Sequence, residues 1–579
     1  MPQTYQFDHL LSADGWLSPG CVTVNDGGMI SAISKDPDNT AEKLSGACIP
    51  GMPNLHSHAF QRAMAGLTEI GGGAENNFWS WQKVMYDFLA ILTPEDVEAI
   101  AAQLYVEMLK GGYTSVGEFH YLHHGPSGTA YDDPTEMSNR IFSAASQTRI
   151  ALTHLPVLYA QGGLGGRPPL DGQKRFLHDI DSFARLVTEL QTRCRSLPSI
   201  ETGMAFHSLR AVSPEMMTEV LNNITDGPVH IHIAEQMREV TQCLDWLRQR
   251  PVEWLLNTHH IDNRWCLVHA THMTEEETAS LAKSGAVAGL CPSTEANLGD
   301  GLFPLPGHLD QGGVFGLGSD SNTSVDAADE IRLLEYGQRL HLQQRNIATA
   351  GDGLSTGASL FQAALRGGAT ALAQPVGSLK AGRRADMVLL DTDHPVLAGR
   401  SGDAILDTWI FAGGRAVIKD VFAAGQRVVQ DRKHGDEDRI ADTFARIVPG
   451  GHFKNEDGTP SEIGNLHMGI SSAANMRPHK DPTPSEPTHL NPGGRAMRAW
   501  IMVSEDDSFE RILETAVRLG GTELWREHFW TEFGGCNASF IDPWGNQIML
   551  WQHLPDTETD DDTHEVVGEV NLPPGWTIE

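Results

Sequence analysis

The first feature of this chain able to do chemistry is His56-Ser57-His58. It follows the apolar-to-turn segment Ile49-Pro50-Gly51-Met52-Pro53-Asn54-Leu55. Alternate residues of a strand share a face, so the two imidazoles can aim at one metal ion. Taken alone, such a pair is equally two polar residues at a strand end. Three later segments change that balance. Val229-His230-Ile231-His232-Ile233-Ala234-Glu235 repeats the alternation, and Val268-His269-Ala270-Thr271-His272 adds a third histidine-bearing strand. Gly316-Leu317-Gly318-Ser319-Asp320-Ser321 then ends an apolar run on a carboxylate. Three histidines and an aspartate from separate strand ends make a four-ligand shell with a position left for water, the arrangement that supports metal-assisted hydrolysis.

The surrounding sequence supplies elements to position these groups. Between residues 51 and 375 short apolar runs alternate with longer amphipathic segments, the pattern of successive βα units. Eight strand candidates run into His56, Glu118, Tyr159, His207, His232, His269, Cys291 and Asp320. Eight units predict an α/β fold, a (β/α)8 TIM-type barrel whose active site lies at the C-terminal ends of its strands. One helix is legible residue by residue. Thr93 is a good N-cap, Pro94 takes the first helical position, Glu95 and Asp96 load the first turn, and Gly111-Gly112 end it.

Residues 1–50 and 376–448 are β-rich, as in Gly20-Cys21-Val22-Thr23-Val24 and Ala385-Asp386-Met387-Val388-Leu389-Leu390-Asp391. They predict a small β-sandwich built from both flanks, with a closing helix. Residues 449–495 are rich in Gly, Pro, Ser, Asn and His and read as a linker. An α+β module is expected over 496–555 and an acidic, solvated tail over 556–579, which carries eight carboxylates and no Lys or Arg.

Composition narrows the function. A chain of 579 residues is too long for one ordinary domain. The formal net charge of −33 argues against nucleic acid or an anionic membrane as partner. An anionic substrate would need a local cationic pocket working against that field. No apolar run reaches the roughly 18 residues of a membrane span, and the start has neither a basic nor an apolar signal region. The seven cysteines are scattered without a CxxC pair, so neither a disulfide framework nor a thiolate metal site is expected. The cytoplasm is the expected location.

The order HxH, HxHxAE, VHATH and SD, flanked by a split β-sandwich, resembles the amidohydrolase superfamily in its single-metal deaminase branch. Longer segments are similar to the formimidoylglutamate deiminases within it: Phe119-His120-Tyr121-Leu122-His123-His124, Phe206-His207-Ser208-Leu209-Arg210-Ala211-Val212, Ser293-Thr294-Glu295-Ala296-Asn297-Leu298-Gly299-Asp300-Gly301 and Leu334-Glu335-Tyr336-Gly337-Gln338-Arg339-Leu340. The resemblance runs from about residue 5 to 445. It implies one divalent metal, zinc before iron or manganese, held by His56, His58, His232 and Asp320. It further implies that His269 hydrogen-bonds the catalytic water, that Asp320 and His269 take up its proton, and that Glu235 shuttles a proton to the departing nitrogen. Gln61, Tyr121, His207 and Arg210 are implied to bind substrate. Arg210 also stands on chemistry, since a guanidinium can grip a carboxylate bidentately. The implied reaction is hydrolysis of N-formimino-L-glutamate to N-formyl-L-glutamate and ammonia, in histidine breakdown, by a homodimer. The alternatives are a deaminase of a heterocycle or another amidine acid, and a non-catalytic binding homologue.

Two positions depart from the family pattern. Phe78-Trp79-Ser80-Trp81 is followed by Gln82 where the family has Arg, and Ser319-Asp320-Ser321 by Asn322 where the family has His. His123-His124 and His259-His260 are expected as surface or loop residues. In the C-terminal module, Ala538-Ser539-Phe540-Ile541-Asp542-Pro543-Trp544-Gly545-Asn546-Gln547-Ile548-Met549-Leu550 resembles the closing hairpin of a glyoxalase-like, vicinal-oxygen-chelate βαβββ unit. Metal-using members of that family have Glu where Met549 stands, so a binding or assembly role is expected there.

Overall fold

Eight parallel strands close on themselves in the order in which the chain makes them. The computed structural model describes residues 2–69, 78–197 and 199–447, together with 498–502, 509–518, 521–530, 535–541, 547–553 and 577–578. The barrel strands are β1 (Met52–Ser57), β2 (Tyr113–His120), β3 (Ala151–Leu158), β4 (Ile200–Thr202, continued by Met204–Phe206), β5 (Val229–Ile233), β6 (Trp265–His269), β7 (Val287–Leu290) and β8 (Val314–Leu317). Each pairs with the next, and Leu317 of β8 pairs with Asn54 of β1 to complete the circle. Every residue of β2, β3, β5 and β6 is buried, as expected of parallel strands covered on both faces. All eight strands anticipated from the sequence are present.

The helix Pro94–Lys110 begins as its sequence predicts. Asp96 N–H donates to Thr93 Oγ1 at 3.2 Å, and Thr93 N–H donates back to Asp96 Oδ2 at 2.9 Å.

Strands from the two flanks join in a single nine-stranded sheet. Glu42–Pro50 lies at the junction, parallel to Gln3–Ser12 and antiparallel to Met387–Leu390. Tyr5, Phe7, Leu10, Val22, Met387, Leu389 and Phe422 form its core.

A helix, Thr356–Leu372, plugs the end of the barrel where the strands begin. The carbonyl of Ala371 accepts from His230 Nε2 at 2.9 Å, and that of Leu372 accepts from Thr153 Oγ1 at 2.8 Å. His230 and His232 share the inward face of β5, but His230 points at this plug while His232 points at the opposite mouth. The helix reaches this depth because Gly367 and Gly368 carry no side chain. A Cβ on Gly367 would collide with the carbonyl of Phe315 in β8, and one on Gly368 would stand 2.8 Å from Pro53 Cβ.

The chain divides into two compact units, Met1–Glu437 and Asp438–Glu579. In the second, strand Arg498–Met502 and helix Phe509–Arg518 precede strands Thr522–Trp530, Gly535–Ile541 and Gln547–His553. The first strand pairs parallel with the last, and the others pair antiparallel. Thr577–Ile578, at the end of the acidic tail, pair with Thr522–Trp530. The linker at 449–495 and the Asp542–Asn546 turn lie outside the described residues. Among the described residues no helix is long and apolar enough to cross a membrane.

Gly367→Ala is expected to cost about 1–3 kcal/mol, because the backbone of Phe315 and Gly316 that the new methyl would meet cannot relax as a side chain can. A lowered urea midpoint of the Met1–Glu437 transition checks this, and an unchanged midpoint contradicts it.

Candidate active site

His56, His58, His232 and Asp320 meet at the mouth of the barrel, all buried, with their ligand atoms within 4.8 Å of one another. His56 Nε2 lies 3.2 Å from His58 Nε2 and 2.9 Å from His232 Nε2. Asp320 Oδ1 is 3.1 Å from His58 Nε2 and 3.5 Å from His56 Nε2. The local backbone explains the convergence. His56 lies in β1; the chain then bends at His58 into a short helical turn, Ala59–Met64, which brings the second ring edge-on to the first at 4.7 Å. β5 delivers His232 from across the barrel. Asp320 comes from the turn after β8, where its N–H donates to the carbonyl of His56 and its carbonyl accepts from His58 N–H, both at 3.0 Å.

The residues fit a divalent ion. A tetrahedral ion at about 2.0–2.1 Å from each nitrogen needs those nitrogens roughly 3.3 Å apart. Burial drives His56 down to about 3 and pushes His232 down as well, so both rings are neutral and each keeps one lone pair able to ligate. Burial alone would raise Asp320, but His56 and His58 hold its carboxylate well below the usual range. His58 Nδ1 lies 2.9 Å from the carbonyl of Phe119. The carbonyl can only accept, so Nδ1 carries the proton and Nε2 is left to ligate.

A second tier surrounds these four. His269 Nε2 stands 3.7 Å from Asp320 Oδ2 and 3.9 Å from Glu235 Oε1, and His269 Nδ1 lies 3.3 Å from Glu295 Oε1. Burial would lower His269, but Glu235, Glu295 and Asp320 outweigh it and raise the imidazole to about 10. Burial likewise raises the carboxyl of Glu235, against the opposing pull of His269 and Arg210. Asp300, bonded by Gln236, is raised by burial and by Glu235 beside it. Asn322 fastens the two strand ends that carry ligands. Its Nδ2 donates to the carbonyls of His58 at 3.0 Å and Asp320 at 2.9 Å, and its Oδ1 accepts from Ser319 Oγ at 2.5 Å. The departure at this position is therefore an anchoring residue. Ala234, His269, Ala270, Asp320 and Asn322 all have positive φ. Such backbone costs about 1–3 kcal/mol per residue and persists only where its surroundings enforce it.

The residues expected to bind substrate line the same mouth. Gln61 Nε2 donates to Tyr121 OH at 3.1 Å, and its buried Oε1 has no donor among the described residues. The His207 ring stands 5.2 Å from that of His232, 5.6 Å from Tyr121 and 4.6 Å from Tyr159, and burial pushes it well below its usual value. Arg210 borders a cavity of about 520 Å³ that Trp79, Gln82, Tyr159, Arg238 and Trp246 also line. The Arg210 Nε is buried and has no acceptor among the described residues.

His123 and His124 lie in the loop after β2, as the loop reading expects, but not at the surface: His123 is 3% exposed, with Nε2 bonded to the carbonyl of Val157 at 3.0 Å, and His124 is half-buried against the carbonyl of Leu177. These carbonyls, turned inward where the loop after β2 packs on β3, need donors, and the paired histidines supply them. His260 is exposed, as expected. Sequence reasoning did not single out Glu295, Asp300 or Glu239 as site residues. Glu295 had one local signal: it stands four residues after the strand-end Cys291, whose N–H it accepts at 2.9 Å.

His232→Ala removes one of three imidazole donors and is expected to lower the metal content of purified protein about tenfold or more, with the far-ultraviolet circular dichroism unchanged. Elemental analysis checks this; full metal content in the variant contradicts it.

The sequence from 47 to 428 matches the model of the amidohydrolase family. The chain is 49% identical over 443 residues to a formimidoylglutamate deiminase of Pseudomonas aeruginosa, a match that covers 76% of this chain and 98% of that one. A crystal structure of an amidohydrolase from Brucella melitensis superposes with a TM-score of 0.73 at 44% identity, over 77% of this chain and 99% of that one. A zinc-bound adenosine deaminase from Xanthomonas campestris shares the fold, with a TM-score of 0.64 at 21% identity over 77% of this chain and 98% of that one. With the ligand cluster at the barrel mouth and a family match across most of its length, the chain belongs to the amidohydrolase family.

Proposed function

We propose that this chain hydrolyses N-formimino-L-glutamate, adding water across the formimino carbon and releasing ammonia to leave N-formyl-L-glutamate. The observation that carries the reading is the pairing of the His56-His58-His232-Asp320 cluster with Glu235 and Arg210 at one barrel mouth. The 49% identity to the Pseudomonas aeruginosa deiminase supports the choice of substrate.

A divalent ion at the cluster, which we take to be zinc, would lower the pKa of a bound water to about 7 and so supply a nucleophile at neutral pH. The protein handles the protons. Asp320 Oδ2, which lies toward His269 while Oδ1 lies against His56 and His58, can accept one as water adds to the carbon. His269, between Asp320 Oδ2 and Glu235 Oε1 at 3.7 and 3.9 Å, bridges the two carboxylates. Glu235, whose carboxyl is raised by burial, can carry a proton to the amidine nitrogen, so the C–N bond breaks with ammonia rather than an amide anion departing.

The remaining side chains hold the substrate. Arg210 offers a fixed guanidinium to one carboxylate. Tyr121, His207 and Gln61 surround the amidine end, and the buried, acceptor-seeking N–H of the amidine suits the unpartnered Oε1 of Gln61. The buried free cysteines suit a reducing cytoplasm, and the exposed Leu333, Tyr336 and Leu340 on helix Ala327–Leu342 offer an apolar face for the expected homodimer. The β-α-β-β-β order of the C-terminal unit is consistent with a glyoxalase-like binding or assembly appendage.

Glu235→Gln tests the reading. Metal content is expected to hold while ammonia release from N-formimino-L-glutamate falls about 10²- to 10⁴-fold, with guanine and cytosine yielding no ammonia from the unaltered protein. An unchanged rate in the variant, or faster turnover of either heterocycle, contradicts it.

A further inference from the structure

We infer that Arg238 is a second anion-gripping residue of the site and takes the substrate carboxylate that Arg210 does not hold. The inference rests on the deimination reading for the identity of the anion and deepens it by assigning the second charge.

Helix Phe78–Leu89 turns Trp79 and, one turn on, Gln82 toward the cavity beside Arg210. The indole of Trp79 meets two guanidinium groups there. The central carbon of Arg210 lies 5.5 Å from its ring centroid, and that of Arg238 lies 4.2 Å away. A guanidinium stacked on an aromatic face spends its π surface on the ring and keeps its in-plane N–H donors free for a carboxylate. Among the described residues neither arginine forms an ion pair, although the chain as a whole is strongly acidic. Two cations on one indole repel each other, and an anion between them converts that repulsion into attraction.

The position of Arg238 points the same way. It is the second residue of helix Met237–Leu247, where the helix dipole disfavours a cation. It follows Glu235 by three residues, so the segment that carries the proton-shuttling carboxylate also presents this guanidinium to the cavity. Gln82 lines the same cavity, where the family pattern has an arginine. N-formimino-L-glutamate carries two carboxylates, so a site with Arg210 alone would leave one unmatched, and Arg238 supplies the missing charge from across Trp79. Asp245 and Arg167 complete the charged lining. Asp245 repels an anion that strays from the arginine pair, while Arg167 adds to the local positive potential.

The test uses the metal-loaded full chain. Binding of glutarate, a dicarboxylate without the amidine, is measured by calorimetry in the unaltered protein, Arg238→Gln, and the Arg238→Gln/Gln82→Arg pair. Turnover of N-formimino-L-glutamate is measured alongside. Arg238→Gln is expected to weaken glutarate and to raise KM about 10- to 100-fold, with kcat unchanged because the contact is made equally in ground and transition states. The second substitution is expected to recover most of the loss. Glutarate that fails to bind the unaltered protein, or binds Arg238→Gln equally well, overturns the inference. Arg238-dependent glutarate binding without any release of ammonia would keep the anion site and overturn the deimination reading instead.

Discussion

Three imidazole nitrogens and a carboxylate oxygen crowd to within 2.9–3.5 Å of their neighbours at the mouth of this barrel. Burial keeps His56 and His232 neutral, so each ring has a lone pair to offer. A cation at their common centre would be held by these lone pairs together with His58 and the Asp320 carboxylate. The rest of the architecture can be understood as what holds those four atoms in place. Closure of β8 onto β1 sets Asp320 beside His56 and His58, and the barrel diameter sets His232 opposite them. Asn322 and the positive-φ turns after β5, β6 and β8 fix the direction in which each side chain leaves its strand.

Charge is distributed around that centre with the same economy. Glu235, Glu295, Asp300 and Glu239 are all buried close by, and burial raises Glu235, Asp300 and Glu239, the last to about 7. A divalent ion held by the cluster would, with His269, offset the nearest of them. Farther out, Arg210 and Arg238 both lie against the indole of Trp79. Negative charge is thus concentrated around the ligand cluster and positive charge around Trp79, inside a chain whose overall field would repel an anion.

Much of this was legible in the sequence, for identifiable reasons. Strands that end on ionisable residues reveal themselves because an apolar run stops at or just before a His, Glu or Asp, as at β1, β2, β4, β5, β6 and β8; β3 and β7 run into Tyr159 and Cys291 instead. The helix at Pro94–Lys110 carries its start and stop signals within a few residues. The choice between His230 and His232 was beyond periodicity, since both face inward. It is decided by a helix more than a hundred residues later, whose end at Ala371 claims His230. The loop position of His123-His124 is legible, but its burial is not, for the same reason: the carbonyls these histidines serve, Val157 and Leu177, are distant in the chain. Asn322 was visible only as a departure from a pattern. Its anchoring role follows from its bonds to Ser57 Oγ and the carbonyl of His58, which only the folded barrel brings beside the local Ser319 and Asp320. Arg238 carried no sequence signal, because its meaning depends on Trp79, which reaches it from another helix.

The most direct test of this account is anomalous X-ray diffraction from crystals of the purified protein, recorded above and below the absorption edge of zinc. The account predicts one ion at the centre of His56, His58, His232 and Asp320, with three nitrogens and one carboxylate oxygen at roughly 2.0–2.2 Å. An anomalous peak held by other residues, or none after incubation with zinc, would contradict it.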